Sequence, residues 1–352
     1  MYDRLRAASE AFDRKIGWHR VGFLVSLAVI AAAAVVLWKM LHGIDVHEVI
    51  AAVKAIPRFD IVVAAAFVAA GYFTLTFYDY FALHTIGRGD VPYRIAALAG
   101  FTSYSVGHNV GASAFTGGAV RYRIYSRHGL SAIDVAKVCF VAGFTFWLGN
   151  ATVLGLGIAI APEAASAINQ VPAWINRGLA IVTLIALATY VGWVWTTRRV
   201  IGRSNWEVTL PGGPLTLLQI AIGIVDLGCC AAAMYMLVPH EPYIGFITLA
   251  VIFVAATLLG FASHSPGGLG VFDAAMLVAL WQFEKEQLLA GLLLFRLLYY
   301  LVPFALALLI LGLREVWLAI ERSRGRAAGA RVADAAPARA SPATAGDDRA
   351  AG

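Results

Sequence analysis

The chain has 352 residues, of which 60% are hydrophobic and 14% charged, with a mean hydropathy of +0.76 and a formal net charge of +6. Soluble domains carry about 25% charged residues, so this composition excludes an ordinary water-soluble enzyme and points to an all-α bundle of membrane helices. The basic excess, 22 Arg and 5 Lys, flanks apolar runs, which fits anionic lipid and membrane orientation rather than nucleic acid.

Residues 1–20 read as a charged, amphipathic segment rather than a cleavable signal peptide, because the apolar run that follows is long enough to remain as an anchor. About 20 apolar residues cross a bilayer. Runs of that kind occupy residues 21–41, 61–83, 133–160, 179–195, 215–238, 244–262 and 288–313. Two further stretches are apolar but interrupted. Residues 95–119 contain Gly107, Gly111, Gly117 and Gly118 among serines and threonines, and 265–283 open on Ser265-Pro266-Gly267-Gly268-Leu269-Gly270.

Basic residues set the orientation. Arg4, Arg6, Arg14, Lys15 and Arg20 precede the first span, so the N-terminus is expected in the cytoplasm. Arg88 and Arg94 lie before the first interrupted stretch, and Arg121, Arg123 and Arg127 at its far end, which makes it re-entrant. Arg198, Arg199 and Arg203 mark an inner loop, and the loops around 162–176 and 239–243, which hold no Lys or Arg, face out. Arg314, Arg322, Arg324 and Arg326 place the C-terminus inside. That parity requires 265–283 to cross, or nearly cross, giving about eight spans. The expected organisation is an amphipathic cytoplasmic segment at 1–20, a transmembrane domain at 21–318 and a disordered cytoplasmic tail at 319–352.

Irregular backbone at membrane depth is tolerated only inside protein or beside a wet cavity. Paired Gly/Pro-interrupted segments in the two halves point to a transporter's central site. The candidate breaks are at Gly117, Gly118, Gly267, Gly268 and Gly270. Intramembrane charges are costly, about 2.5–3.5 kcal/mol on insertion scales, so each needs a reason. Asp79 shares a helix face with Tyr72 and Thr76, Asp226 with Gln219, Gly223 and Cys230, and Arg296 with Tyr299, Tyr300 and Pro303. Thr102, Ser105 and Asn109 make one polar stripe, and Tyr104 and His108 another. His108 and His264 flank the two breaks.

This inventory suits a phospholipid headgroup. Arg121, Arg123 and Arg296 could pair with phosphate through the planar guanidinium fork, and Asp79, Asp226 and Asp273 with a cationic substituent. The competing reading makes these residues internal ion pairs. No metal or other cofactor is expected: the histidines lack ligand spacing, and Cys139, Cys229 and Cys230 sit in apolar runs. Gly267-Gly268-Leu269-Gly270 has no βαβ context for a nucleotide loop.

Three segments carry a family resemblance. FTSYSVGHNVGASAFTGGAVRYRIY (101–125), SHSPGGLGVFD (263–273) and FRLLYYLVP (295–303) resemble signatures of the flippase-like half of lysylphosphatidylglycerol synthase, the multiple peptide resistance factor family. The resemblance covers about residues 15–318. It implies a flippase that presents an aminoacylated phospholipid to the outer leaflet and blunts cationic antimicrobial peptides. Family members often add a soluble domain that transfers an amino acid from aminoacyl-tRNA to phosphatidylglycerol. Here the expected tail is short, so no aminoacyl transfer by this chain alone is expected. Membrane lipids, anionic or aminoacylated, are the expected partners; a separate lipid synthase and a second copy of the chain also stand as partners. A membrane subunit of a headgroup-modifying synthase and a purely structural membrane protein are the alternatives to a flippase.

Overall fold

The computed structural model describes residues 56–334 other than 112, 198, 204, 205 and 263–265, together with Ala51 and Lys54. The expected span at 21–41, the segment 1–20, His264 and residues 335–352 lie outside the described residues. Elsewhere the chain is helical apart from one two-stranded ribbon.

Helix α1 (Arg58–Thr85) starts directly after Pro57 and ends at Ile86 and Gly87, the latter in the left-handed region. Then come α2 (Tyr93–Val110) and α3 (Ser113–Tyr125), which pack against each other as a hairpin. A 3-10 turn (Ser126–His128) closed by left-handed Gly129 leads into α4 (Ala132–Ile160). Ser131 caps α4, accepting from the Asp134 amide at 3.2 Å while its own amide donates to Asp134 at 2.9 Å. This reciprocal box satisfies two otherwise orphaned donors.

Arg88 holds the foot of the hairpin together. Its guanidinium donates to the carbonyls of His128 (2.7 Å) and Gly129 (3.2 Å) and pairs with Asp90 at 2.9 Å, which holds the exposed Asp90 carboxyl below its ordinary range. The end of α1, both outer ends of the hairpin and the start of α4 therefore meet on one edge.

Residues 162–176, expected as a loop, contain a short helix, α5 (Pro162–Asn169), opened by proline at a position that needs no amide donor. Asn176 ties it to α6 (Ala173–Thr196) by donating to Ser166 Oγ (3.1 Å) and Asn169 Oδ1 (3.2 Å). The expected inner arginine loop is an antiparallel ribbon, β1 (Val200–Arg203) against β2 (Trp206–Thr209). Its sequence is too short and irregular in alternation to announce a hairpin.

Helix α7 (Gly213–Leu237) packs along α1 and crosses α4 at Gly149 and Gly223. A methyl group added at Gly149 would lie 2.8 Å from the Gly223 Cα, so the two backbones touch as small-residue crossings allow. Helix α8 (Phe246–Ala262) leads to the second break, the 3-10 turn Pro266–Gly268, and then α9 (Val271–Ala279). Gly260 meets Gly268 so closely that a Cβ at Gly260 would lie 3.2 Å from the Gly268 Cα. The α8–break–α9 segment is thus a second hairpin. Helix α10 (Lys285–Arg296), a π-helical segment (Leu297–Leu301) and α11 (Val302–Asp334) follow.

Among the described residues five helical stretches are long and apolar enough to cross a membrane: α1, α4, α6, α7 and Lys285–Ile320, with Phe246–Ala262 and Pro266–Ala279 as shorter apolar ones. At 1.5 Å per residue, α9 is only about 13 Å long, against a core of about 30 Å. Residues 265–283 therefore hold no full-length spanning helix. They form the return arm of a hairpin with α8.

Two expectations about the ends of elements change. Gly117 and Gly118 are not at a break: both lie inside α3. The break is at Gly111, whose φ of 82° suits glycine, while Gly117 is buried against α2, so closely that a Cβ there would lie 3.2 Å from the Ser103 carbonyl. Gly267, Gly268 and Gly270 do sit at the second break, with φ of 61°, 63° and 81°. From Leu309 to Asp334 the described chain belongs to a separate unit. Within it α11 continues to Asp334, so 319–334 are helical rather than tail-like. Alanine and arginine are strong helix formers, and composition alone hid that tendency.

Candidate functional site

A cavity of about 460 Å³ lies between the two hairpins. Both breaks reach it: Gly111 from the first, Gly267 and Gly268 from the second. Its polar wall comes from Ser103, Tyr104, His108, Arg121 and Tyr300. Phe115 and Trp147 line it too, yet are 83% and 61% exposed. The cavity wall therefore continues onto the apolar outer surface, where lipid tails would lie.

Each hairpin carries an ion pair that fixes it to a neighbouring helix, fully buried in the first and partly buried in the second. In the first, Arg121 of α3 grips Asp79 of α1 bidentately, with Nε to Oδ2 at 2.9 Å and Nη2 to Oδ1 at 2.7 Å. Tyr125 donates to the same carboxylate at 2.7 Å. Asp79 is wholly buried, and Arg121 also lies over the Tyr104 ring at 4.9 Å. In the second, Arg296 of α10 grips Asp273 of α9, with Nε to Oδ1 at 2.9 Å and Nη2 to Oδ2 at 2.5 Å. Its Nη1 donates to the Gly267 carbonyl at 3.1 Å, directly in the break, and Asp273 also accepts from the Gly270 amide at 3.0 Å. The arginine sits on the hairpin in one half and on the neighbouring helix in the other.

Asp226 is different. It is 3% exposed and accepts from Tyr78 at 3.0 Å, while its Oδ1 has no hydrogen-bond partner among the described residues. It does not pair with Arg296, whose guanidinium is taken up by Asp273 and Gly267. Asp226 lines a second, small cavity of about 30 Å³ with Tyr104, His108, Tyr299 and Tyr300, several of which also line the large one.

The π-helical segment has a traceable cause. Pro303 has no amide to donate to the Tyr299 carbonyl, so the helix ladder is interrupted there. The Tyr72 hydroxyl supplies the missing donor at 2.9 Å, and Asn109 Nδ2 donates to the Tyr300 carbonyl at 3.2 Å. π-Bulges of this kind are frequent at functional sites. The widened turn lets Tyr299 and Tyr300 both face the small cavity.

The sequence-derived candidates thus divide. Tyr104, His108, Arg121 and Tyr300 line the large cavity, and Asp226 and Tyr299 the small one. Asp79, Asp273 and Arg296 brace the hairpins from behind. Asn109, wholly buried, pins the π segment, and Thr102 and Ser105 turn back onto their own helix carbonyls. The stripe that faces the cavity is Tyr104 and His108. Arg123 lines neither cavity. Tyr78 and Tyr125 were missed from sequence; their signal was a hydroxyl inside an apolar run, one next to Asp79 and the other closing the first signature. Asn150-Ala151-Thr152, a glycosylation-like triplet, is buried within α4. Among the described residues no group of three or more His, Cys, Asp or Glu could hold a metal ion.

A family model described as the lysylphosphatidylglycerol synthase TM region matches residues 23–307. A Synechocystis sp. protein, slr0712, is 28% identical over 78% of this chain and 86% of its own length. The inner membrane protein YbhN of Escherichia coli is 25% identical over 88% of this chain and 98% of its own. A phosphatidylglycerol lysyltransferase of Staphylococcus aureus is 23% identical over 80% of this chain, a match that spans only 33% of that longer protein.

Proposed function

The chain belongs to the lysylphosphatidylglycerol synthase transmembrane-region family, and from that membership and its cavity we propose an integral membrane flippase that moves a phospholipid or related lipid between leaflets of a bacterial inner membrane. The observation that carries this reading is the 460 Å³ cavity set between two broken helical hairpins and continuous with the lipid-facing surface at Phe115 and Trp147. A headgroup crossing about 30 Å of hydrocarbon must replace its lost hydration. Tyr104, His108, Tyr300 and the backbone at the breaks would supply that replacement while the acyl chains stay outside. Transfer of an aminoacyl group is not part of this reading.

The proposed orientation keeps both termini in the cytoplasm. The first hairpin enters from the arginine-rich side tied by Arg88, and the second enters from the opposite side, because α8 and α9 go in and come back before Lys285–Ile320 crosses. Reporter fusions at Gly352 should then be active only when the reporter works in the cytoplasm. Activity confined to the periplasm would reverse the second hairpin.

The test of transport is a plug. Gly143 lines the cavity, and a Cβ there meets nothing within 4 Å. Gly143→Leu should therefore enter the cavity with no clash at its Cβ, narrow the path and improve helix propensity. In proteoliposomes containing phosphatidylglycerol and a fluorescent lysylphosphatidylglycerol, the wild type should speed dithionite-detected lipid movement over empty vesicles. Gly143→Leu should cut that rate at least tenfold, while Gly192→Leu, at an equally open site on α6 outside the cavity, should not. Equal rates in all three, or none above empty vesicles, would end the flippase reading.

A further inference from the structure

We propose that Asp226 is a proton-carrying site, reached through His108, and that lipid movement is exchanged against a proton. This rests on the flippase reading and names its coupling ion.

The argument begins with charge balance. Arg121 and Arg296 are each neutralised by a bidentate carboxylate. Asp226 is as deeply buried but, among the described residues, meets only neutral donors, the Tyr78 hydroxyl at 3.0 Å and the Thr74 hydroxyl beside it. A carboxylate left alone in a low-dielectric site is relieved either by a cation or by taking up a proton. The groups around it decide which. From α1 it faces Tyr72 and Tyr78; from α2, Tyr104 and His108; from the π segment, Tyr299 and Tyr300; and on α7 its neighbours are Cys229 and Cys230. Helices α4 and α8 contribute Phe146, Phe253, Thr257 and Phe261, none of which titrates. From α10, Arg296 is directed to Asp273. Among the described residues no lysine or arginine reaches Asp226.

The second observation is independent of charge. Two residues that line the small cavity each carry a buried polar atom with no hydrogen-bond partner among the described residues: Asp226 Oδ1 and His108 Nδ1. The cavity of about 30 Å³ has room for one or two water molecules. His108 also lines the large cavity, and its ring packs against Tyr104, Tyr299 and Phe261 at centroid distances of 5.7, 6.3 and 5.6 Å. A proton entering the large cavity from the aqueous phase can therefore pass by way of the His108 ring to Asp226 Oδ1. There it forms the O–H bond of a neutral acid. When the cavity opens to the other side, or when a cationic headgroup substituent takes its place, the same O–H bond breaks and the proton returns to water. One carboxylate serves two competing cations, and that competition is the coupling.

The experiment has two arms, both on the full chain. In nanodiscs, infrared spectroscopy of the wild type at neutral pH should show the carbonyl band of a protonated carboxylic acid that titrates with pH. The band should be absent in Asp226→Asn, retained in Asp226→Glu, and slower to exchange in His108→Phe. In proteoliposomes, a proton gradient of one pH unit should change the wild-type lipid rate several-fold, and this response should be lost in Asp226→Asn and partly kept in Asp226→Glu. No Asp226-dependent band at any pH where the protein is folded overturns the proposal. So does a wild-type lipid rate indifferent to the gradient, which leaves the flippase reading standing. If the wild type moves no lipid, the flippase reading fails, and the infrared arm alone decides whether Asp226 carries a proton.

Discussion

Arg296→Gln is expected to destabilise the protein by about 3–5 kcal/mol, because it leaves the Asp273 carboxylate partly buried without its cation. It also removes the donor to the Gly267 carbonyl, so the second break loses its anchor. Sequence alone offered Arg296 either to phosphate or to an internal ion pair. The geometry assigns a different outcome to the double variants. Asp273→Asn combined with Arg296→Gln should recover most of the lost stability, since no unpaired charge remains. Asp226→Asn combined with Arg296→Gln should recover none. Thermal unfolding in detergent, read as a double-mutant cycle, measures both. Recovery through Asp226 rather than Asp273 would refute the assignment. Arg296→Lys should restore only part of the stability, because a point charge cannot bridge both carboxylate oxygens and the carbonyl together.

The second large effect is expected at Asp79. This carboxylate is wholly buried and accepts from Arg121 Nε and Nη2 and from Tyr125. Asp79→Ala strands a buried guanidinium and a hydroxyl at once, so its cost should lie at or above the same range of about 3–5 kcal/mol. Tyr125→Phe, which removes one hydroxyl donor from a charged acceptor, should cost about 1.5–3 kcal/mol. Asp79→Asn with Arg121→Gln should be far milder than Asp79→Ala alone. The α2–α3 hairpin should loosen selectively, so hydrogen exchange across residues 113–125 distinguishes this from a general loss of folding. Unchanged protection there in Asp79→Ala would mean that the pair does not hold the hairpin.

These expectations turn two arginine–aspartate pairs from ligands into braces, and the physics favours that division of labour. A buried bidentate pair is stable only while both members stay together. A residue that must bind and release a headgroup many times over is better left uncommitted. Asp226, His108 and Tyr104 have that freedom. Arg121 is intermediate, since it lines the cavity but is already held by Asp79.

Much was readable from sequence. Long apolar runs fixed α1, α4, α6, α7 and the last crossing, because about 20 apolar residues have few alternatives to a spanning helix. The glycine clusters located both interrupted elements, and charges in apolar surroundings pointed to Asp79, Asp226, Arg121 and Arg296, because a polar group there is too costly to be incidental. Three things needed the tertiary structure. The break fell at Gly111 rather than Gly117, since glycine serves equally for a left-handed turn and for close helix contact, and only the packing of α3 on α2 tells them apart. The stretch 265–283 became the arm of a hairpin, because the length of α9 depends on where its turn ends rather than on how apolar it is. Finally, the partners of each charge, Asp79 with Arg121, Asp273 with Arg296 and Asp226 with no cation among the described residues, depend on contacts between residues far apart in the chain. Composition and periodicity specify which face a side chain occupies; only the fold decides what stands opposite.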